Sequence, residues 1–280
     1  MIIGHERQCT YLEDAHRRGR MPHAYLFYGP EHIGKFTVAK EYAARFQEIE
    51  VIAPEPGKEL SIAAIRELKR VCAFAPRANQ ERLFIIDEAQ RLTREAGNAF
   101  LKLLEEPGKH TVFILVTPAL DMILPTIISR ACPLRFSLVQ ERALDDFLVR
   151  EKIDAPRRDE LRAFARGRPG ILIRLISDKE YFERETQLKK EVTGILTRRA
   201  YPEAFLLAQR TASDDDLRRR AIEYTISLVR DACRTGDGLQ KKNKVRALKE
   251  IHRIMASIET TNVNPRLAMD ALFIEALKTT

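Results

Sequence analysis

The 280-residue sequence contains no tryptophan and only four cysteines, none of which forms a Cys-x-x-Cys pair. Such scattered cysteines argue against a zinc knuckle or a disulfide framework, and inert thiols are the simpler interpretation. No apolar run reaches the roughly 18 residues of a membrane-spanning helix, because Pro118, Asp121 and Pro125 interrupt the most apolar stretch. The first seven residues, MIIGHER, lack the apolar segment of a secretory signal. We therefore expect a soluble cytoplasmic protein without a membrane partner.

The composition excludes a disordered chain, since 45% of the residues are hydrophobic and 31% are charged. A chain of this length has room for two or three domains. The net charge is +8, and residues 184–280 hold 19 basic against 13 acidic residues. This excess permits contact with nucleic acid, but solvated helix faces are the more ordinary explanation.

The N-terminal half alternates short apolar runs with segments of helical spacing. A β-strand, helix, strand, helix, strand order favours a parallel sheet with crossover helices. The predicted strands cover residues 24–28, 82–86 and 111–117, and the predicted helices cover residues 36–46 and 92–103.

The C-terminal half shows only helical periodicity, which begins after residue 136. The predicted helices cover residues 142–152, 156–166, 169–176, 178–199, 217–234, 240–259 and 265–277. We expect three parts: an α/β domain over residues 1–137, a small helical domain over 138–183, and a terminal helical bundle over 184–280.

A phosphate-binding loop is predicted at residues 29–36, GPEHIGKF, which match G-x-x-x-x-G-K between a strand and a helix. The glycines Gly29 and Gly34 would let backbone N–H groups surround phosphates, and Lys35 would reach the outer ones. The next residue in a working loop is Ser or Thr, whose hydroxyl binds Mg²⁺. Here it is Phe36, which has no oxygen. We expect the fold of a P-loop with a degenerate nucleotide site.

A second motif, LFIIDEAQ at residues 83–90, is an apolar strand that ends in two acids and resembles a Walker B element. Asp87 would then hold Mg²⁺ through water, and Glu88 would polarise the attacking water. Thr117, at the end of the next strand, stands where a polar side chain senses the γ-phosphate. A strand that simply ends in exposed acids is the alternative.

Further motifs occur in fixed order along the chain: HAYLFYGP, NAFLK (98–102), LEEP (104–107), LPTIISRAC (124–132) and NVNPRLAMDAL (262–272). Together they resemble the clamp-loader subunits of bacterial DNA polymerase III, which are three-domain AAA+ proteins. The resemblance implies an AAA+ P-loop domain at residues 1–137, a helical lid at 138–183 and an oligomerising collar at 184–280.

The departures from the family pattern weaken ATP hydrolysis. Motor subunits of the tau/gamma type keep a Ser or Thr after the loop lysine, an SRC trio, a zinc module and a second-sensor arginine. This chain has Phe36, has Ala131 where the trio has cysteine, lacks the zinc module, and has Gly170 at the sensor position, with Arg168 nearby. Arg130 of the trio is retained. This pattern is similar to the delta-prime type of subunit, which supplies an arginine finger to its neighbour.

The resemblance implies a non-catalytic or weakly catalytic clamp-loader subunit in DNA replication, with Arg130 acting in trans. An ordinary solvated or intradomain salt-bridged arginine is the alternative for Arg130. The alternative for the chain is an active motor ATPase, which Lys35, Asp87 and Glu88 keep open. No base-reading module supports a sequence-specific regulator. The implied partners are the tau/gamma and delta subunits, the sliding clamp and primer-template DNA. Weak binding of ATP and Mg²⁺ is the most that the site implies.

Overall fold

The computed structural model describes residues 1–55, 57–74, 80–234, 238–260 and 263–279. It forms two compact units, Met1–Ser177 and Asp178–Thr280. Asn262, the first residue of the NVNPRLAMDAL motif, lies outside the described residues. Among the helices of the described part, none is long and apolar enough to cross a membrane.

A five-stranded parallel sheet forms the centre of the first unit and confirms the predicted parallel sheet with crossover helices. The strand order is β2-β3-β4-β1-β5. Strands β3 and β4 are buried throughout, which is why their sequences are continuous apolar runs. The strands are β1 (Ala24–Tyr28), β2 (Glu48–Ile52), β3 (Arg82–Ile86), β4 (Thr111–Thr117) and β5 (Cys132–Arg135).

Helices cover both faces of this sheet. Buried side chains of α1 and α2 pack on one face, and those of α3, α4 and α5 pack on the other. Three more helices follow in the described part of this unit. Its α-helices there are α1 (Glu6–Arg17), α2 (Lys35–Ala43), α3 (Ile62–Ala73), α4 (Arg94–Glu105), α5 (Pro125–Ile128), α6 (Glu141–Arg150), α7 (Ala155–Ala165) and α8 (Pro169–Ser177).

The second unit is a bundle of α-helices. It contains α9 (Lys179–Arg198), α10 (Tyr201–Ala212), α11 (Asp215–Arg234), α12 (Gly238–Thr260) and α13 (Pro265–Leu277). Helix α10 was not among the predicted helices. Its proline stands in the first turn, where a missing N–H costs nothing, and it buries Ala204, Leu207 and Ala208.

A buried ion pair joins α9 to α11 within this bundle. The Arg220 guanidinium donates to both carboxylate oxygens of Glu185, at 3.1 Å and 2.8 Å, and also to the Tyr181 hydroxyl. The Tyr224 hydroxyl donates to the same carboxylate. Arg220 is 6% exposed and Glu185 5% exposed. The two tyrosines thus help to satisfy charges that would be costly to bury alone.

The boundary between the two units falls between Ser177 and Asp178. Asp178 caps α9, because its carboxylate accepts a hydrogen bond from the Tyr181 N–H at 2.8 Å. The boundary predicted at residues 183/184 lies inside α9. The division of the chain into domains 1–137, 138–183 and 184–280 stays a prediction.

Candidate phosphate-binding loop and exposed arginine

The residues of the two nucleotide motifs meet at one edge of the sheet. Strand β1 pairs with β4, with Tyr28 opposite Thr117, and β4 pairs with β3. The loop that follows β1, the Asp87 that follows β3, and Thr117 at the end of β4 therefore share the carboxyl edge of the sheet. This edge is where open α/β sheets bind ligands.

The two loop glycines have backbone conformations that few other residues adopt. Gly29 has φ 142°, and a Cβ atom there would lie 2.1 Å from the carbonyl oxygen of Phe136. Gly34 has φ 101° at the N-terminus of α2, and a Cβ atom there would meet no atom within 4 Å. The sequence prediction of a glycine-dependent turn into a helix is consistent with this geometry.

Lys35 is buried, and its ammonium group is bonded to its own loop. Nζ donates to the carbonyl oxygens of Gly29 at 2.6 Å and Pro30 at 2.7 Å. Burial lowers the pKa of Lys35 to about 8, against the opposing charges of Glu31 and Asp87. In this arrangement the side chain that should reach a phosphate satisfies two loop carbonyls instead.

The acidic pair after β3 divides into two environments. Burial raises the pKa of Asp87, although its Oδ1 accepts the Glu88 N–H at 3.0 Å and Lys35 lies near enough to oppose the shift. The Glu88 carboxylate is ion-paired with Arg91 at 2.6 Å. Of these two acids, Asp87 interacts with the charge of Lys35, and Glu88 is paired with Arg91 of its own segment.

Thr117 is 1% exposed, and its hydroxyl donates to the carbonyl oxygen of Ala119 at 3.1 Å. The hydroxyl that would sense a γ-phosphate is thus bonded to the chain that immediately follows it. It lies at the predicted edge, but its hydrogen goes to the backbone.

Two further features fit Mg²⁺-ATP poorly. Phe36 follows the loop lysine, and Lys40 Nζ lies 4.5 Å from the centre of its ring. The Gly170 N–H at the start of α8 donates to the carbonyl oxygen of His32 in the loop at 2.8 Å. A Cβ atom at Gly170 would lie 2.9 Å from that same oxygen. Phe36 therefore offers no hydroxyl to the metal. The second-sensor segment contacts the loop through the backbone of Gly170, which has no side chain. Within the described residues, no group of three or more His, Cys, Asp or Glu side chains is placed to hold a metal ion.

One residue that supports the loop was not singled out by the sequence. His5 is buried, its Nε2 lies 2.7 Å from the carbonyl oxygen of Ile33, and its ring packs edge-on against Phe136. Burial lowers the pKa of His5, so the neutral imidazole is the favoured form. A lone histidine near the N-terminus carries no pattern that would have predicted this contact.

Arg130 lies at the corner that α4 and α5 form, two residues beyond the end of α5. Its side chain is 37% exposed and forms an ion pair with Glu105, with 2.9 Å between Nη2 and Oε1. Its Nη1 donates to the carbonyl oxygen of Thr126 at 3.1 Å and to the Ser129 hydroxyl at 3.2 Å. In this chain the arginine is thus salt-bridged within its own unit, while its guanidinium remains at the surface.

Comparison with known proteins supports the resemblance. The family model described as "DNA polymerase III, delta subunit" matches residues 42–140. The gamma/tau subunit of DNA polymerase III from Mycobacterium tuberculosis is 30% identical over 174 residues, which are 53% of this chain and 30% of that protein. The delta' subunit from Bacillus subtilis is 26% identical over 208 residues, which are 66% of this chain and 63% of that protein. The chain spans less than two thirds of the length of either relative.

The solved structures support the fold. A crystal structure of a DNA polymerase III gamma subunit-related protein from Thermotoga maritima is 23% identical and aligns with a TM-score of 0.52, over 96% of this chain and 99% of that one. A RuvB variant from the same organism aligns with a TM-score of 0.50 at 22% identity, over 70% of this chain and 64% of that one. The α/β unit with additional helical domains is thus an AAA+ fold. In sequence the chain is therefore similar to the gamma/tau and delta' subunits of DNA polymerase III, and in fold it is similar to these solved structures.

Proposed function

We propose that this chain is a delta-prime-like subunit of the sliding-clamp loader, with little or no ATPase activity of its own, which supplies Arg130 to the ATP site of a neighbouring subunit. One observation carries the proposal: Lys35 is bonded to the carbonyls of its own loop, whereas the Arg130 guanidinium lies at the surface. In the same α/β unit, one cation is thus bonded to its own loop and the other lies at the surface.

The loop supports weak nucleotide binding at most. A phosphate would have to replace the two short hydrogen bonds that Lys35 donates to the carbonyl oxygens of Gly29 and Pro30. Phe36 supplies no oxygen ligand to Mg²⁺, and Gly170 supplies no cation. Each of these features lowers the expected turnover in cis.

Arg130 has the chemistry that phosphoryl transfer needs from a neighbour. Negative charge develops on the transferred phosphoryl group and the leaving oxygen, and a finger supplied in trans raises the rate by about 10³–10⁵. A guanidinium is permanently charged and can bind two phosphate oxygens at once. The Arg130 side chain is 37% exposed, so a phosphate of a neighbouring subunit can reach its guanidinium.

We further propose that the partners are gamma/tau-type and delta-type subunits, with the clamp and primer-template DNA reached through the complex in the cytoplasm. Residues 184–280, which lie within the helical unit Asp178–Thr280, would be the part that associates with equivalent bundles. Exposed apolar side chains on α10 and α13 support this assignment, among them Leu206 at 66% and Leu267 at 64% exposure.

The test is the ATPase of a complex reconstituted from this full chain and the gamma/tau-type subunit of the same organism. Arg130→Ala should leave the complex assembled and lower its DNA- and clamp-stimulated turnover by about 10³. Arg130→Lys should recover part of the loss, because it keeps the charge without the two-pronged geometry. Arg135→Ala, which removes another exposed arginine of the same unit, is the control. Undiminished turnover with Arg130→Ala would return this residue to an ordinary salt-bridged arginine.

An active motor ATPase is the second candidate. It is favoured by the meeting of Lys35, Asp87 and Thr117 at one sheet edge, which a chain with no history of nucleotide binding would not need. Turnover by the purified chain alone distinguishes the two candidates.

A further inference from the structure

The corner that holds Arg130 depends on close packing between α4 and α5. Gly97 on α4 allows this approach, since a Cβ atom there would lie 2.7 Å from Cδ1 of Leu124, the residue that precedes α5. The contact brings the last residue of α4, Glu105, beside the segment that follows α5. Two residues that are 25 positions apart in sequence thereby form one surface ion pair.

Three acceptors hold the Arg130 guanidinium at this corner. The Thr126 carbonyl and the Ser129 hydroxyl are local, and the Ser129 hydroxyl itself donates to that carbonyl at 3.0 Å. Glu105, at 2.9 Å, is the charged acceptor and the one that comes from another helix. The local acceptors fix one end of the guanidinium, and Glu105 fixes the direction of the other end.

This arrangement leaves donors available. A guanidinium has five N–H groups, and the contacts above use Nη1 and one side of Nη2. In the described part of the chain, Nε donates to no acceptor. A phosphate oxygen can therefore be bound while Arg130 stays at the corner, so Glu105 need not compete with it.

We propose that Glu105 is a positioning residue for Arg130, whose carboxylate holds the guanidinium in the orientation presented to the neighbouring subunit's nucleotide. The inference rests on the proposed function of Arg130. A long exposed arginine loses much rotamer freedom when it is fixed at a reacting phosphate. When the corner has already fixed the side chain, that loss is not incurred again in the transition state.

The experiment uses the reconstituted complex and compares Glu105→Ala with Glu106→Ala. Glu106 is the adjacent exposed carboxylate. Glu105→Ala should lower the kcat of the stimulated ATPase about threefold, the scale of losing one exposed ion pair, with KM and assembly unchanged. Glu105→Gln keeps an acceptor without the charge and should recover part of the rate. Glu106→Ala should match wild type. An unchanged or increased kcat for Glu105→Ala would overturn the inference, an increase showing that the carboxylate competes with phosphate.

The double variant shows whether the effect acts through Arg130. In the Arg130→Ala background, Glu105→Ala should cause no further loss, because no guanidinium remains to be oriented. An equal threefold loss in that background would overturn the inference. If Arg130→Ala alone had no effect, the proposed function itself would fail. If it lowered turnover while Glu105→Ala did not, only the positioning role would fail.

Discussion

Lys35 and Arg130 are both cations of the same α/β unit, and both are held by acceptors of their own chain. Lys35 is 7% exposed and donates to two backbone carbonyls of its own loop. The Arg130 side chain is 37% exposed, and its charged partner is a side-chain carboxylate. An acceptor on a side chain can be replaced or can share its donor, whereas one built into a glycine turn is part of the fold. The comparison indicates that Arg130, rather than Lys35, is available to a phosphate.

ATP hydrolysis by the purified chain is the strongest test of this difference between Lys35 and Arg130. If Lys35 is committed to its loop, turnover should lie orders of magnitude below the roughly 1 s⁻¹ of an ordinary enzyme. The chain with Phe36→Thr, which restores a hydroxyl after the lysine, should bind nucleotide more tightly but still turn over slowly. Turnover of about 1 s⁻¹ by the wild-type chain would show that Lys35 reaches phosphate after all, and would establish the motor ATPase.

A second prediction concerns the contact between α8 and the loop. Gly170→Arg introduces a Cβ atom 2.9 Å from the His32 carbonyl oxygen, so the loop or α8 must shift. We expect a loss of about 1–3 kcal/mol in the free energy of unfolding, as for other overpacked sites. Native-state hydrogen exchange of the β1 and β4 amides reports the stability of this unit.

The control adds the same side chain elsewhere on α8. Ile173 is 44% exposed, so Ile173→Arg should change the stability by less than about 0.5 kcal/mol. Equal protection in Gly170→Arg and Ile173→Arg would mean that the contact with His32 is loose, and that a second-sensor arginine could be accommodated.

The smallest effect is the pH dependence that Lys35 confers. Its pKa is about 8 in the folded chain, against about 10.4 for an unperturbed lysine. Between these values the unfolded chain binds more protons, so the free energy of unfolding rises with pH. From pH 8 to pH 10, wild type should gain about 2 kcal/mol more than Lys35→Met in urea denaturation.

Lys40→Met is the matched variant for this measurement, because Lys40 lies on the same helix and is exposed. It should follow wild type. Burial raises the pKa of Tyr25 and Tyr42, so their ionisation lowers stability at high pH, but both tyrosines are common to all three chains. Parallel curves for wild type and Lys35→Met would show that the ammonium is not buried in solution.

The contrast also shows what a sequence can predict. The turn at Gly29 and Gly34 follows a fixed spacing, so its place between β1 and α2 could be predicted from the sequence. The hydrogen bonds of Lys35 could not, because the spacing that identifies a loop lysine is the same whether its ammonium points at phosphate or at its own carbonyls. The pairing of Arg130 with Glu105 depends on how closely two helices approach, which the motifs around each residue do not encode.

The fold shows the same division. Strands β3 and β4 are predicted because they are buried on both faces. Strand β2, with the sequence EIEVI, lies at the sheet edge and is partly exposed along its length. Acidic residues alternate with aliphatic ones there. The charges protect the edge from further strand pairing, but they also interrupt the apolar run by which a buried strand is predicted. Helix α10 was missed for a related reason, since the proline in its first turn resembles a break.

The buried pair between Glu185 and Arg220 has a consequence for how the helical bundle finds its own arrangement. Apolar contacts between helices are not directional, whereas a buried carboxylate and a buried guanidinium each need the other as a partner. A slipped α9 would bury both charges apart from each other and from the hydroxyls of Tyr181 and Tyr224, at a cost of several kcal/mol. The pair therefore favours the native alignment of α9 with α11. Its main effect is to raise the free energy of misaligned bundles, and it stabilises the native bundle by less.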